Sequence, residues 1–204
     1  MQTLKETNPN DLNQIYFAIL SNFNQLEFKQ LLKKLGLSQD YFATIDYKIE
    51  IIECLLYLRR RRRLTDFLNI CEQQKSSFVW QSQVVPFNDK AKIRAFDETA
   101  LSTILATCFT VSELRQLCFF IGVDFENFSG YLLTDSQQSL REKDKEILEK
   151  HNVDYENVSI DDIRILLKEE WCDGLFFYWQ RRRRSLTEMT RVMMYLRPEL
   201  FEQN

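Results

Sequence analysis

The chain has 204 residues, 45% of them hydrophobic with sixteen Phe and eight Tyr, a net charge of −3, and only four Gly and three Pro. That length and apolar content suffice for one large or two small packed domains. Scarce turn residues argue against a β-sandwich or barrel, and the acidic balance argues against a polycation built for nucleic acid.

In chain order, the N-terminus MQTLKETNPNDL is too polar for a secretory signal, and a first helical unit begins near Asp11. The segment Phe23 to Gly36 (FNQLEFKQLLKKLG) then recurs 86 residues later as Phe109 to Gly122 (FTVSELRQLCFFIG). Asn24 and Thr110 stand where N-caps belong, with Glu27 and Glu113 three residues on, the capping-box spacing. Phe23 before the cap and Phe28 inside the helix form a hydrophobic staple, as do Phe109 and Leu114. Apolar residues follow at helical spacing (Phe28, Leu31, Leu32, Leu35; Leu114, Leu117, Cys118, Ile121). Gly36 and Gly122 fall where a left-handed C-terminal cap is wanted. New caps at Ser38 and Asp124 with the aromatic pairs Tyr41/Phe42 and Phe125/Phe128 predict a short further helix in each unit.

A second matched block has an offset of 122: LLYLRRRRRLTDF at 55–67 and FYWQRRRRSLTEM at 177–189. Each is an aromatic, apolar helix ending in an arginine run that leads into another helix, with Ser185 and Glu188 predicting a further capping box. The first unit's last helix fades near Trp80, and 81–89, with Pro86, reads as a linker. The predicted domains are 1–85 and 86–204, each of five or six helices. The change of offset places an insertion at about 129–170, carrying a net −5, with helices predicted at 139–150 and 160–170. Within it VDYEN at 153–157 echoes VDFEN at 123–127. The insertion therefore holds a partial duplication, or the later copy is the true third helix; Gly122 and the capped helix before it favour the first reading.

Chemistry-bearing motifs are sparse. Five cysteines form an odd set with no CxxC pair, as expected of reduced core thiols in a cytoplasmic protein. The single histidine, His151, lies in the polar insertion and reads as a surface residue. The phosphate-cradling patterns GxxxxGK[ST] and GxGxxG do not occur. No apolar run reaches the roughly 18 residues of a membrane span. Adjacent carboxylates such as Asp161 and Asp162 point about 100° apart on a helix, so they are no converging acid pair. No cofactor, metal or catalytic residue is expected.

The arginine runs, Arg59, Arg60, Arg61, Arg62 and Arg63, and Arg181, Arg182, Arg183 and Arg184, are the strongest functional signal. Cations at a helix C-terminus favour the macrodipole and bond its last carbonyls, but that accounts for one or two per run. The remainder predict docking on an acidic face of another helical domain by Arg–carboxylate pairs. Nucleic acid or anionic lipid is the alternative. The acidic insertion, with Asp161 and Asp162, either covers a basic surface of the same chain or supplies the acidic half of such a contact. Trp171, Phe176, Phe177, Tyr178 and Trp179 read mainly as core, and Gly174 among them leaves open an exposed face for a partner.

These residues resemble the bacterial death-like domains, also called effector-associated domains. The likeness is carried by ELRQLCFFIGVDFENF at 113–128, the basic helix end, the Leu-Thr-acid sequence after it, and Arg197-Pro198; unit one matches more loosely through Glu27 to Leu37. It covers most of both units and not 129–170. The family usually carries a Gly inside the basic turn, where this chain has only arginines. The resemblance implies two tandem six-helix death folds, the second with a helical insertion. It also implies homotypic docking that couples sensing to an effector in bacterial antiphage defence or programmed cell death. Family effectors include proteases, oligomerising ATPases and gasdermin-like pores. Two units leave no room for one here, so the chain is expected to be a non-enzymatic adaptor or regulator that binds other death-like domains or itself.

Overall fold

The computed structural model describes residues 9–37, 46–75, 87, 96–125, 142–153 and 160–201; within them the side chains of 9–11, 142–144, 160–162 and 164 lie outside the described set. Regular structure among the described residues is all helical. The chain divides into two compact units, Met1–Asn88 and Asp89–Asn204, each taken by itself below.

Unit 1 contains α1 (Pro9–Asn22), α2 (Gln25–Lys34), α3 (Tyr47–Arg60) and α4 (Leu64–Gln74). The short helix expected near 38–42 and the stretch 76–86 lie outside the described residues. The start of α2 follows from its sequence: Asn24 Oδ1 accepts the Glu27 N–H at 3.0 Å while Glu27 returns a bond to the Asn24 N–H at 2.9 Å. The staple residues Phe23 and Phe28 are both buried. At the other end Gly36 takes a φ of 72° and the Leu37 N–H reaches back to the Leu32 carbonyl at 3.0 Å, a Schellman cap. α1 packs on α3 and α2 on α4, enclosing Ile19, Phe28, Leu31, Ile51, Leu55 and Phe67.

Unit 2 contains α5 (Glu98–Cys108), α6 (Val111–Phe120), α7 (Glu142–Lys150), α8 (Ile160–Arg181), α9 (Leu186–Leu196) and a 3-10 turn at Pro198–Leu200. α5 packs on α8 and α6 on α9, repeating the α1–α3 and α2–α4 pairings. α6 thus holds the place of α2, with the same capping box (Thr110 and Glu113) and a left-handed Gly122. α7 ends on a related cap: Asn152 has a φ of 55° and the Val153 N–H bonds the Leu148 carbonyl, as the Val123 N–H bonds Cys118 thirty residues earlier. The echo at Val153 thus follows a helix end of the same form as the one before Val123, and its remaining residues, 154–157, lie outside the described set.

Three local expectations change. The helix predicted at 160–170 does not stop there: α8 runs unbroken for 22 residues from Ile160 through the aromatic stretch. Gly174 does not interrupt it, since Trp171, Leu175, Phe176 and Trp179 fix both sides of the glycine in the core. Ser185 caps α9 through the Thr187 N–H at 3.2 Å, but Glu188 pairs with Arg184 at 3.5 Å rather than closing a box. The offset of the basic turn is also 121 rather than 122, because the left-handed residues are Arg62 and Arg183.

Candidate functional site

Each basic turn is the Schellman end of a helix. In unit 1 the Arg62 N–H bonds the Arg59 carbonyl and the Arg63 N–H the Leu58 carbonyl; in unit 2 Arg183 bonds Gln180 and Arg184 bonds Trp179. The position left of the helix needs a positive φ, normally supplied by Gly. Here Arg62 (56°) and Arg183 (51°) take it. The glycine that the basic turn lacks in sequence is thus replaced by a strained arginine in both units.

The last arginine of each run is engaged within its own unit. The Arg63 guanidinium donates to the Leu35 carbonyl at 2.9 Å, and Arg184 donates to the equivalent Ile121 carbonyl. Leu35 and Ile121 are the C-caps of α2 and α6, so each arginine supplies a donor to a helix-end carbonyl that has no intrahelical partner. In unit 1 Arg63 is also the N-cap residue of α4, whereas unit 2 splits the two tasks between Arg184 and Ser185. That one added residue shifts the offset.

The other arginines lie outward. Arg59, Arg60, Arg61 and Arg62 are exposed, as are Arg181, Arg182 and Arg183. Three of the outward guanidinium groups stack on rings one turn back: Arg61 over Tyr57 at 5.7 Å, Arg182 over Tyr178 at 5.2 Å and Arg181 over Phe177 at 4.3 Å; the inward Arg184 lies over the buried Trp179 ring at 4.6 Å. Tyr57–Arg61 and Tyr178–Arg182 are equivalent pairs. Stacking hides one guanidinium face and leaves the N–H edge for a carboxylate or phosphate. Of the aromatic group, Trp171, Phe176 and Trp179 are buried, Tyr178 is half-buried, and Phe177 is 56% exposed. Asp161 and Asp162 fall in the first turn of α8, and their side chains lie outside the described set.

A second duplicated feature joins three helix ends. Lys75, the C-cap of α4, donates to the Asn22 carbonyl at the end of α1 and pairs with Glu27 of α2 at 3.1 Å. Arg197, the C-cap of α9, donates to the Cys108 carbonyl at the end of α5 at 2.8 Å and pairs with Glu113 of α6 at 3.4 Å. Sequence reasoning missed the Lys75 clasp and took Arg197 only as part of a resemblance. The signal was available, since carrying the offset of 122 past Phe67 to 75 and 197 sets a cation on a cation.

The remaining titratable candidates are placed for structure. Burial pushes the thiols of Cys71 and Cys172 up to about 12, and raises Cys54 and Cys118 as well. Such thiols are poor nucleophiles at neutral pH. His151, at the end of α7, bonds Glu170 of α8, which Lys150 also approaches at 3.0 Å. No helix among the described residues is long and apolar enough to cross a membrane.

Compared with known protein families, curated proteins and solved structures, the chain matches none.

Proposed function

We propose that the chain is a non-enzymatic adaptor whose two units are death-fold-like bundles that dock on other death-like domains through their basic turns. It would act in the cytoplasm, coupling sensing to a protease, ATPase or pore-forming effector in bacterial antiphage defence or programmed cell death. The observation that carries this reading is the duplicated turn. In each unit one arginine is committed to a helix-end carbonyl, and at least three others are exposed, with Arg61 and Arg182 stacked alike on Tyr57 and Tyr178. Helix capping needs the first kind and does not call for a run of the second. Outward guanidinium groups on rigid helix ends suit bidentate pairing with acidic helix faces.

The reading is tested by charge reversal that spares Arg63 and Arg184. Arg60→Glu with Arg62→Glu, and Arg182→Glu with Arg183→Glu, are expected to abolish capture of death-like-domain proteins from the native host while the circular dichroism spectrum stays helical, the lost cation at a helix C-terminus costing no more than about 1 kcal/mol each. Capture retained by both variants would count against it.

The ring-stacked arginines also favour a second reading, a nucleic-acid-binding regulator, because the exposed Phe177 and the half-buried Tyr57 and Tyr178 lie beside guanidinium groups, as in stacking platforms for single strands. It predicts affinity that falls steeply between two salt concentrations, by a slope set by the number of arginines engaged. A mobility-shift titration distinguishes the two.

A further inference from the structure

α8 carries an exposed series along unit 2: Glu169, Asp173, Phe177 and Arg181, each four residues from the last. Residues so spaced are neighbours on a helix surface. Glu169 and Asp173 wall a cleft of about 440 Å³ against α5, whose side is lined by Glu98, Ser102 and Thr103. Ser102 Oγ donates to Asp173 Oδ1 at 3.2 Å, and Gln180 donates to Glu98. The residues of α1 that correspond to Glu98, Ser102 and Thr103 are Leu12, Tyr16 and Phe17, all buried. A face that is covered in unit 1 is thus open and acidic in unit 2.

We propose that this face binds the same face of a second copy, with the two α8 helices antiparallel about a two-fold axis at Phe177. Asp173 lies four residues before that ring and Arg181 four after it. Turning a second α8 end for end about Phe177 therefore lays Arg181 of each copy on Asp173 of the other, with the two exposed rings between. A two-fold contact has to be self-complementary, and a helix whose charge changes sign about an exposed aromatic residue meets that condition. The stacking of Arg181 on its own Phe177, at 4.3 Å, presents the N–H edge to an incoming carboxylate. Glu98 and Glu169 add to the negative cleft that the arginine enters. Unit 1 has no such pattern: the residues corresponding to Asp173, Phe177 and Arg181 are Ile52, Leu56 and Arg60, without an acid. The inference rests on the basic turns being protein-binding surfaces and assigns one of them a partner.

Sedimentation equilibrium of the full chain, from micromolar to sub-millimolar concentration, tests it. The wild type is expected to show a concentration-dependent monomer–dimer equilibrium. Asp173→Arg and Arg181→Asp, each alone, are expected to weaken it at least about tenfold by setting like charges opposite one another. Mixing these two variants is expected to restore dimers, because in the mixed pair every substituted position faces its opposite charge. Circular dichroism checks the fold, and Asp173→Asn with Arg181→Gln serves should a reversal unfold the unit. A wild type that stays monomeric, or a dimer that survives both reversals, overturns the proposal. A monomer that still captures a death-like domain through its arginines overturns only the self-pairing. A dimer broken by Arg60→Glu and untouched by the α8 variants does the same.

Discussion

Arg62 and Arg183 occupy a backbone region where an L-residue's Cβ crowds the following carbonyl, at a cost of about 1–2 kcal/mol. Gly has no Cβ and meets no such penalty, although it loses more chain entropy on folding. Arg62→Gly and Arg183→Gly are each expected to raise unfolding stability by about 0.5–1 kcal/mol, measured by urea denaturation. Gly36→Ala is expected to do the reverse. Its Cβ would meet nothing within 4 Å, so the loss isolates the cost of the 72° φ. The sequence shows that the basic turns lack a glycine. It does not show which arginine takes the left-handed position, because five like residues offer no contrast. That assignment needs the hydrogen bonds of the Schellman end, and with it the division between inward Arg63 and Arg184 and the outward remainder.

At the scale of elements, helix starts were the most legible feature. Both capping boxes and both staples lie within five residues of sequence, and local chemistry decides them. The Lys75 and Arg197 clasps were not legible by that route, since each joins the ends of three helices that are distant in the chain. They have a measurable consequence. The Asn24 backbone N–H and the Lys75 ammonium hold the Glu27 carboxyl below its ordinary value of 4.5. A depressed carboxylate adds stability that is present above its unfolded pKa and lost as pH falls through the folded one. Unit 1 is therefore expected to lose stability on acidification below about pH 4.5, and Glu27→Gln to flatten that slope while keeping a capping-competent side chain. Lys75→Met is expected to lower stability by about 1 kcal/mol at neutral pH, for the Asn22 carbonyl bond alone. Thermal melts across a pH series check both.

At the scale of the whole molecule, the duplication was visible because caps, staples and arginines recur at fixed offsets, and its unequal second half was visible as a change of offset. The continuity of α8 was not. A polar stretch followed by an aromatic one reads as two elements, yet Ile163 and Leu167 continue the line of buried residues that Trp171, Phe176 and Trp179 complete. α8 therefore serves two groups of side chains. Its first half closes a small core with Ile147 and Leu148 of α7, flanked by Val153 and Leu166, and its second half fills the interior of unit 2. Among the described residues that core has four buried members, set apart from the larger interior that the second half of α8 fills, so α7 is expected to open as a separate local unit. Leu148→Ala, at a site with no exposure, removes about 2–3 kcal/mol of packing. That loss is expected in the hydrogen-exchange protection of the α7 amides, while the unfolding midpoint, followed by fluorescence in a Trp80→Phe background so that Trp171 and Trp179 alone report, stays within about 1 °C for a loss confined to α7. A midpoint that falls by the full amount would mean instead that α7 and the interior of unit 2 fold as one cooperative body, and that the insertion is part of the domain rather than an addition to it.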